Sequence, residues 1–412
     1  MSSSSQSQNI DVTLSLSLPP RNDSLNPQER GIKLIKLLLS CANHASSGNL
    51  HHADTCLRHI SELASVTGDS MQRLAARFAA ALAARLVKRW PGLYKALNNG
   101  GLVGFDMDRA KSIFARAFPC LDFAYVVINR TLVQALLGEP MIHVVDLGCG
   151  DPKLWVPFIR AMADGPNGPP HLKITTVGIT NEAQERLEGR ILKEARISKM
   201  EIEFNHVNVK LRDLTLDMLK VKQGEVLALT SILSLHVLLA EDDSVDARFG
   251  LSKTSECKQM TEFLEMVRSA RPKLVLLFEQ ESDHNSTRLM DRFVEGLHFY
   301  SALFDLIDAT FGASSCSNRA TLEEMLGREI ENIVAREGLE REERHERFAK
   351  WGVRFTRSGF RPVQLWYDTM DEARKVVEGY EPRGFNVTSE KGSLMICWHD
   401  RPIYAMSTWG LF

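Results

Sequence analysis

Residues 141–147 (MIHVVDL) form a largely apolar run that ends on Asp146 and Leu147 and is followed at once by Gly148 and Gly150. Such a run reads as a strand buried on both faces of a parallel sheet. A strand running into Asp-x-Gly-x-Gly lets backbone pass close to a ligand at the carboxyl edge of that sheet. The alternation then repeats, with a helix expected over 152–162, a strand over 172–179, a helix over 183–197, and further strands at 226–229 and 274–278. Buried strands separated by helices require right-handed crossovers. The tail changes character: segments 385–388, 394–398 and 403–406, separated by Glu390-Lys391-Gly392 and Asp400-Arg401-Pro402, read as antiparallel strands. The expected fold is therefore α/β, a Rossmann-like doubly wound sheet of the S-adenosylmethionine methyltransferase type with antiparallel C-terminal strands. That conclusion concerns fold only.

A helical cap precedes the sheet. Ile32, Ile35, Leu38, Leu39, Ala42 and Ala45 make one apolar stripe, and Met71, Leu74, Ala75, Phe78, Leu82 and Leu86 make a second, capped by Asp69 or Ser70 and ended by Trp90-Pro91-Gly92. Residues 1–28 are rich in Ser, Gln, Asn and Pro and should not fold alone. Within them Leu14, Leu16 and Leu18 alternate with serines, so an extended chain would present all three on one side. The expected organisation is a tail at 1–28, a cap at 29–110, and a core at 111–412 with a helical insertion around 313–358. In the insertion, Glu340/Arg344 and Glu343/Arg347 stand four apart, which predicts a solvated helix face or, alternatively, a partner-binding one.

The cofactor site implied by Asp146, Gly148 and Gly150 is incomplete. An adenosyl-binding sheet commonly ends its second strand in a carboxylate that takes both ribose hydroxyls, a charged acceptor being stronger than a neutral one. Here Thr180 stands in that place, no Asn-Pro-Pro-Tyr type pocket follows the fourth strand, and Pro152 crowds the helix start. His236, between Leu235 and Val237, and His143, inside the first strand, fit hydrogen-bonded core histidines better than general bases. The reading is a methyltransferase scaffold without its chemistry, neither an enzyme nor a cofactor binder. The competing reading is an S-adenosylmethionine-dependent methyltransferase or small-ligand sensor using residues 146–150.

Composition narrows the partners. Fifty basic against 52 acidic residues leave a net charge of -2, so no global field favours nucleic acid or an anionic membrane. No apolar run approaches the roughly 20 residues needed to cross a bilayer, and the first residues show no secretory pattern, so an intracellular, soluble chain is expected. Seven scattered cysteines without a CxxC pair fit reduced thiols, not a zinc site.

Several motifs resemble the GRAS family of plant transcriptional regulators. Ile142-His143-Val144-Val145-Asp146 is similar to its VHIID core. Residues 326–330 with Arg341, Arg344, His345 and Glu346 resemble its later block, and Trp398, Arg401 and Pro402 through Ser407 and Trp409 resemble its closing SAW motif. Leu38-Leu39-Ser40-Cys41-Ala42 and residues 90–97 resemble the first leucine-rich region, nearest to the scarecrow-like 3 branch. Two departures stand out: Gly148 and Gly150 are more methyltransferase-like than usual for that branch, and Thr408 replaces the usual Ala. The resemblance spans about residues 29–410 and makes that stretch one GRAS domain. It implies a nuclear coregulator in gibberellin signalling and root development. Implied partners are other GRAS proteins, including DELLA repressors, in homo- or heterodimers, and C2H2 zinc-finger factors of the indeterminate-domain type. DNA would then be reached mostly indirectly. Leu14, Leu16 and Leu18 resemble the LxLxL motif that recruits Topless-type corepressors. No run of five basic residues marks an import signal, which suits entry with a partner.

Overall fold

The structure, a computed structural model, describes residues 26–98, 105–148, 150–178, 180–241, 257–312 and 316–411. Leu14, Leu16 and Leu18 lie outside the described residues. A single mixed sheet organises the rest. Strands β1 (Met141–Leu147), β2 (His171–Val177), β3 (Ile202–Val207), β4 (Val226–Ile232) and β5 (Leu274–Gln280) are parallel. A two-residue strand β6 (Arg361–Pro362) and the strands β7 (Phe385–Glu390), β8 (Ser393–Trp398) and β9 (Arg401–Gly410) follow. The order is β3-β2-β1-β4-β5-β9-β8-β7, with β9 antiparallel to β5 and β6 paired on β9. This is the expected doubly wound sheet with antiparallel C-terminal strands. The β3 edge strand has no counterpart among the strands expected from sequence, because Glu203, Asn205 and His206 interrupt its apolar pattern.

Alternation along each strand feeds two cores. Ile142, Val144, Leu276 and Phe278 face one side; Val145, Leu147, Val275 and Leu277 face the other. The first side is covered by α6 (Cys120–Leu136), α7 (Pro152–Ala163) and α8 (Asn181–Ser198), which contribute Phe123, Trp155 and Ile191. The second is covered by α10 (Lys258–Ser269) and α13 (Phe348–Arg357), through Phe263, Trp351 and Phe355. Helices α4 (Pro91–Asn98), α5 (Met107–Ala117), the one-turn α9 (Leu216–Leu219) and α14 (Tyr367–Glu378) complete the chain with those described next. No single helix among the described residues is long and apolar enough to cross a membrane.

The cap begins with α1 (Pro27–Ser46), α2 (Leu50–Leu63) and α3 (Ser70–Val87). Asn26 with Glu29, and Asp69 with Gln72, close reciprocal capping boxes on α1 and α3. The buried face of α1 is Leu34, Leu38, Cys41, Ala42 and Ala45. Ile32 and Ile35, placed on that stripe by spacing, are instead 48% and 39% exposed, and Leu34 takes the buried position at this end of the helix. Late in the chain, α11 (Leu289–Phe311) and α12 (Ser317–Ala335) return to pack on α3. Arg73, 2% exposed, joins all three: its Nε donates to Glu323 at 2.7 Å and its Nη2 to Asp308 at 2.6 Å.

Replacing one member of a buried pair strands the other charge. Arg73→Met should therefore destabilise the chain by about 3–5 kcal/mol in urea unfolding, and adding Glu323→Leu should restore a large part of that loss. Equal stability of the single variant and the parent would show that Arg73 is not a clamp.

Candidate functional site

The carboxyl edge of the sheet is where a doubly wound fold binds ligands. Gly148 leaves β1 at φ +91°, and Gly150 follows at φ +59°, a backbone region that disfavours other residues. Asp146 is fully buried and turned inward. Its Oδ2 accepts from Trp155 Nε1 at 2.9 Å and from the Gly150 N–H at 3.0 Å, so the carboxylate ties the turn to α7. Asp151 caps α7 by accepting from the Lys153 N–H at 2.8 Å, and Pro152 takes the first helical position. At the end of β2, Thr180 caps α8 by accepting from the Ala183 N–H at 3.3 Å. The residue standing in the ribose carboxylate's place thus serves a helix end.

Space beside the loop is also taken. A Cβ on Gly148 would come within 2.4 Å of Ser234 Oγ, so the following turn of β4 leans over the glycine. What remains is an open cleft of about 490 Å³ lined in part by Gly178, Asn208, Lys210, Arg212 and Ser234. No carboxylate of the second strand reaches it.

The two histidines weighed as bases are buried and hydrogen-bonded. His143 Nε2 meets Thr175 Oγ1 at 2.8 Å and Nδ1 meets Glu225 at 3.1 Å, while burial, with Lys173 nearby, pushes its pKa down to about 4. His236 Nδ1 lies 2.8 Å from Glu279 Oε2, and its ring is 4.3 Å from that of His345.

Residues 341–347 depart from the helix that their spacing predicts. They form neither a helix nor a solvated face: a 3₁₀ turn (Gly338–Glu340) runs into an irregular stretch in which Arg341, Arg344, His345 and Glu346 are at most 2% exposed. Their partners are backbone carbonyls and side chains of other elements, which i,i+4 counting could not see. Arg341 Nη1 donates to the His284 carbonyl at 2.9 Å. Arg344 donates to the carbonyls of Arg341 and Gly338, each at 2.9 Å. Glu346 accepts two bonds from Arg354, at 2.6 and 2.8 Å, and one from Asn285 at 2.8 Å. His345 Nδ1 meets His284 Nδ1 at 3.0 Å. His284, Glu279, Glu343 and Glu329, which sequence patterns did not single out as site residues, belong to the same buried group. Glu329 lies within the quoted 326–330 block and Glu343 within the charged stretch, while no short motif marks His284 or Glu279.

The closing strands carry the remaining motif residues. Trp398 Nε1 donates to Asp305 at 2.8 Å, Arg401 donates to Glu295 at 3.1 Å, and Pro402 pairs opposite Cys397. Trp409 donates to Ser407 Oγ at 3.0 Å and stacks on Phe355 with centroids 4.8 Å apart. These are packing roles in three separate regions: β1, the 341–347 segment, and the β8–β9 hairpin.

Two stability tests follow from these contacts. Asp146→Ala leaves two buried donors unpaired and should cost about 2–4 kcal/mol, with Trp155→Phe coupling to it in a double-mutant cycle. Additivity of the pair would contradict the tie. Just beyond β5, Glu281 accepts from the Phe348 N–H at 2.8 Å, and burial pushes its carboxyl up to about 7 against that bond. With the folded pKa raised, its contribution to stability is present in full below the unfolded pKa and is lost as pH rises towards about 7. Glu281→Gln should therefore match the parent at pH near 4.5 and exceed it by roughly 1–2 kcal/mol at pH near 8, a constant difference counting against the assignment.

Comparison with known proteins places these features. The model of the GRAS domain family matches residues 34–410. Scarecrow-like protein 3 of Arabidopsis thaliana is 38% identical, with 93% of this chain and 90% of that protein covered. GRAS family protein TF80 of Medicago truncatula is 32% identical, covering 90% and 94%. DELLA protein RGL1 of Arabidopsis thaliana is 33% identical, covering 93% and 71%. The crystal structure of SCL7 from Oryza sativa superposes with a TM-score of 0.75 at 25% identity, over 91% of this chain and 99% of that one. A match that runs from the cap through the β9 strand leaves no large part of the fold unaccounted for, and the chain belongs to the GRAS domain family, whose Scarecrow-like and DELLA members are plant transcriptional regulators in gibberellin signalling.

Proposed function

We propose that this chain is a nuclear coregulator of transcription that works by binding other proteins, in gibberellin signalling and root development. One observation carries the reading: the groups at the sheet edge that a cofactor would need are engaged by the chain itself, although a cleft remains beside them. Asp146 is spent on Trp155, Thr180 on a helix cap, and the space over Gly148 on Ser234. Family membership supports the regulatory role. Large apolar side chains on the outside, among them Trp90, Leu93, Trp366 and Tyr367, suit a protein that contacts others.

In this reading the partners are other GRAS proteins, DELLA repressors among them, and C2H2 zinc-finger factors of the indeterminate-domain type. A zinc-finger partner would supply the phosphate contacts that a net charge of -2 does not. Leu14, Leu16 and Leu18 would recruit a Topless-type corepressor from the tail by presenting alternate leucines to apolar pockets.

The test is capture from plant nuclei with the full chain, alongside a reporter assay. A DELLA or zinc-finger protein should be recovered, and Leu16→Ala with Leu18→Ala should relieve repression. Unchanged repression removes the tail's role, and tight binding of naked DNA by the isolated chain removes the indirect route. The cleft beside Gly148 gives a ligand-binding reading its one foothold. Calorimetry with millimolar S-adenosylmethionine is expected to give no heat and no thermal shift; a saturable signal would favour that reading instead.

A further inference from the structure

Three side chains converge beneath the carboxyl ends of β4 and β5. His236 comes from the 3₁₀ turn (Leu235–Leu239) after β4, and Glu343 and His345 come from the irregular stretch after α12. One ligand atom from each lies within 4.8 Å of the other two. Glu343 Oε2 is 3.4 Å from His236 Nε2 and 3.3 Å from His345 Nε2. In a tetrahedral zinc site with bonds of about 2.0–2.1 Å, neighbouring ligand atoms stand roughly 3.3–3.4 Å apart, so both spacings fit a shared ion.

The surrounding hydrogen bonds set which ring nitrogens carry protons. Glu279 Oε1 accepts the backbone N–H groups of Ser234, Leu235 and His236, at 3.1, 2.8 and 3.3 Å, which fixes its carboxylate. Its Oε2 then takes Nδ1–H of His236, which turns Nε2 towards Glu343, where a bound ion would replace the proton the two share. A second chain starts at Glu295, an acceptor held ionised by Arg347 and Arg401, with 2.8 and 3.1 Å bonds. Glu295 accepts from Ser282 Oγ at 3.2 Å, Ser282 Oγ meets His284 Nε2 at 2.9 Å, and His284 Nδ1 meets His345 Nδ1 at 3.0 Å. The network assigns the proton of each link on the side away from Glu295, so His345 donates through Nδ1 and its Nε2 also turns towards Glu343. Both Nε2 atoms then lie against the same Glu343 oxygen, and an ion entering between them would displace the protons these pairs otherwise share.

We propose that His236, Glu343 and His345 form a two-histidine, one-carboxylate site for a divalent transition ion, zinc by donor type, with Glu279 and His284 orienting the two imidazoles. Carboxylate-held histidine is the usual outer arrangement around protein-bound zinc. Glu343 retains 27% side-chain exposure, which gives an ion a way in and leaves a fourth position for water. The ion would pin the 341–347 segment to the end of β4, far apart in sequence. Its role is that of a clamp on the fold.

Cobalt titration of the full chain, freed of metal by chelator, tests this. One equivalent of Co²⁺ should give a visible d–d band, zinc should displace it, and zinc should raise the melting temperature reversibly. Glu343→Gln and His345→Gln should each weaken binding at least tenfold while circular dichroism stays unchanged. If either variant fails to fold, X-ray absorption on the zinc-loaded parent decides: two imidazoles and oxygen donors support the site, and sulfur donors overturn it. His44, His51 and His52 lie close together on α1 and α2, with ring centroids 5.1 and 5.7 Å apart. Binding lost in His51→Asn/His52→Asn but kept in Glu343→Gln would overturn the proposal, as would no stoichiometric metal at all.

Discussion

The Glu279 carboxylate is the joint on which this half of the molecule turns. It sits at the end of β5, 2% exposed, and gathers three N–H groups from the turn after β4 on one oxygen and the His236 ring on the other. A carboxylate in that position would be expensive without such partners. With them it fixes the turn that carries Ser234 over Gly148 and His236 under the 341–347 segment. Both the position of Ser234 beside Gly148 and the placing of the His236 ring depend on one side chain.

That dependence bears on how the carboxyl edge of the sheet is used. The groups at the edge that could meet a ligand are engaged in holding the fold instead. Asp146 ties α7, Asp151 and Thr180 cap helices, and Ser234 occupies the approach to Gly148. The glycines persist because positive φ is still required for the chain to turn out of the strand. The glycine pattern is therefore accounted for by backbone shape, whether or not a ligand binds beside it.

The sheet was legible in the sequence because buried strands of β1, β2, β4 and β5 read as apolar runs bounded by glycine or polar turns, and Asp69 announced the start of α3. The edge strand β3 was not, since most of its residues are only partly covered and its polar side chains break the run. The α1 stripe holds at Leu38, Ala42 and Ala45 and fails at Ile32 and Ile35, because docking against neighbouring helices decides which side of a helix is covered. Segment 341–347 failed for a deeper reason. Its charges match helical spacing, yet they are satisfied by other elements and by backbone carbonyls, as Arg341 is by His284 and Arg344 by Gly338 and Glu241. Spacing rules describe neighbours along a helix and are silent about pairs made by topology. The candidate metal ligands were hidden the same way, His236 lying 107 residues before Glu343 by their numbers.

The charge balance gains meaning from these pairs. Helix α3 alone sends Arg73 to Glu323 and Asp308, Arg77 to Glu324 and Arg85 to Glu337, so it is joined to α12 and the turn beyond it by ions as well as by leucines. Arg292, Arg341 and Arg354 are likewise committed to Glu337 and Glu346. Several arginines, Arg73, Arg292 and Arg341 among them, are thus turned inward, where they cannot meet phosphate. Under the proposed reading, a regulator so built reaches DNA through a partner, and a net charge of -2 supplies no global field that would draw it to phosphate by itself.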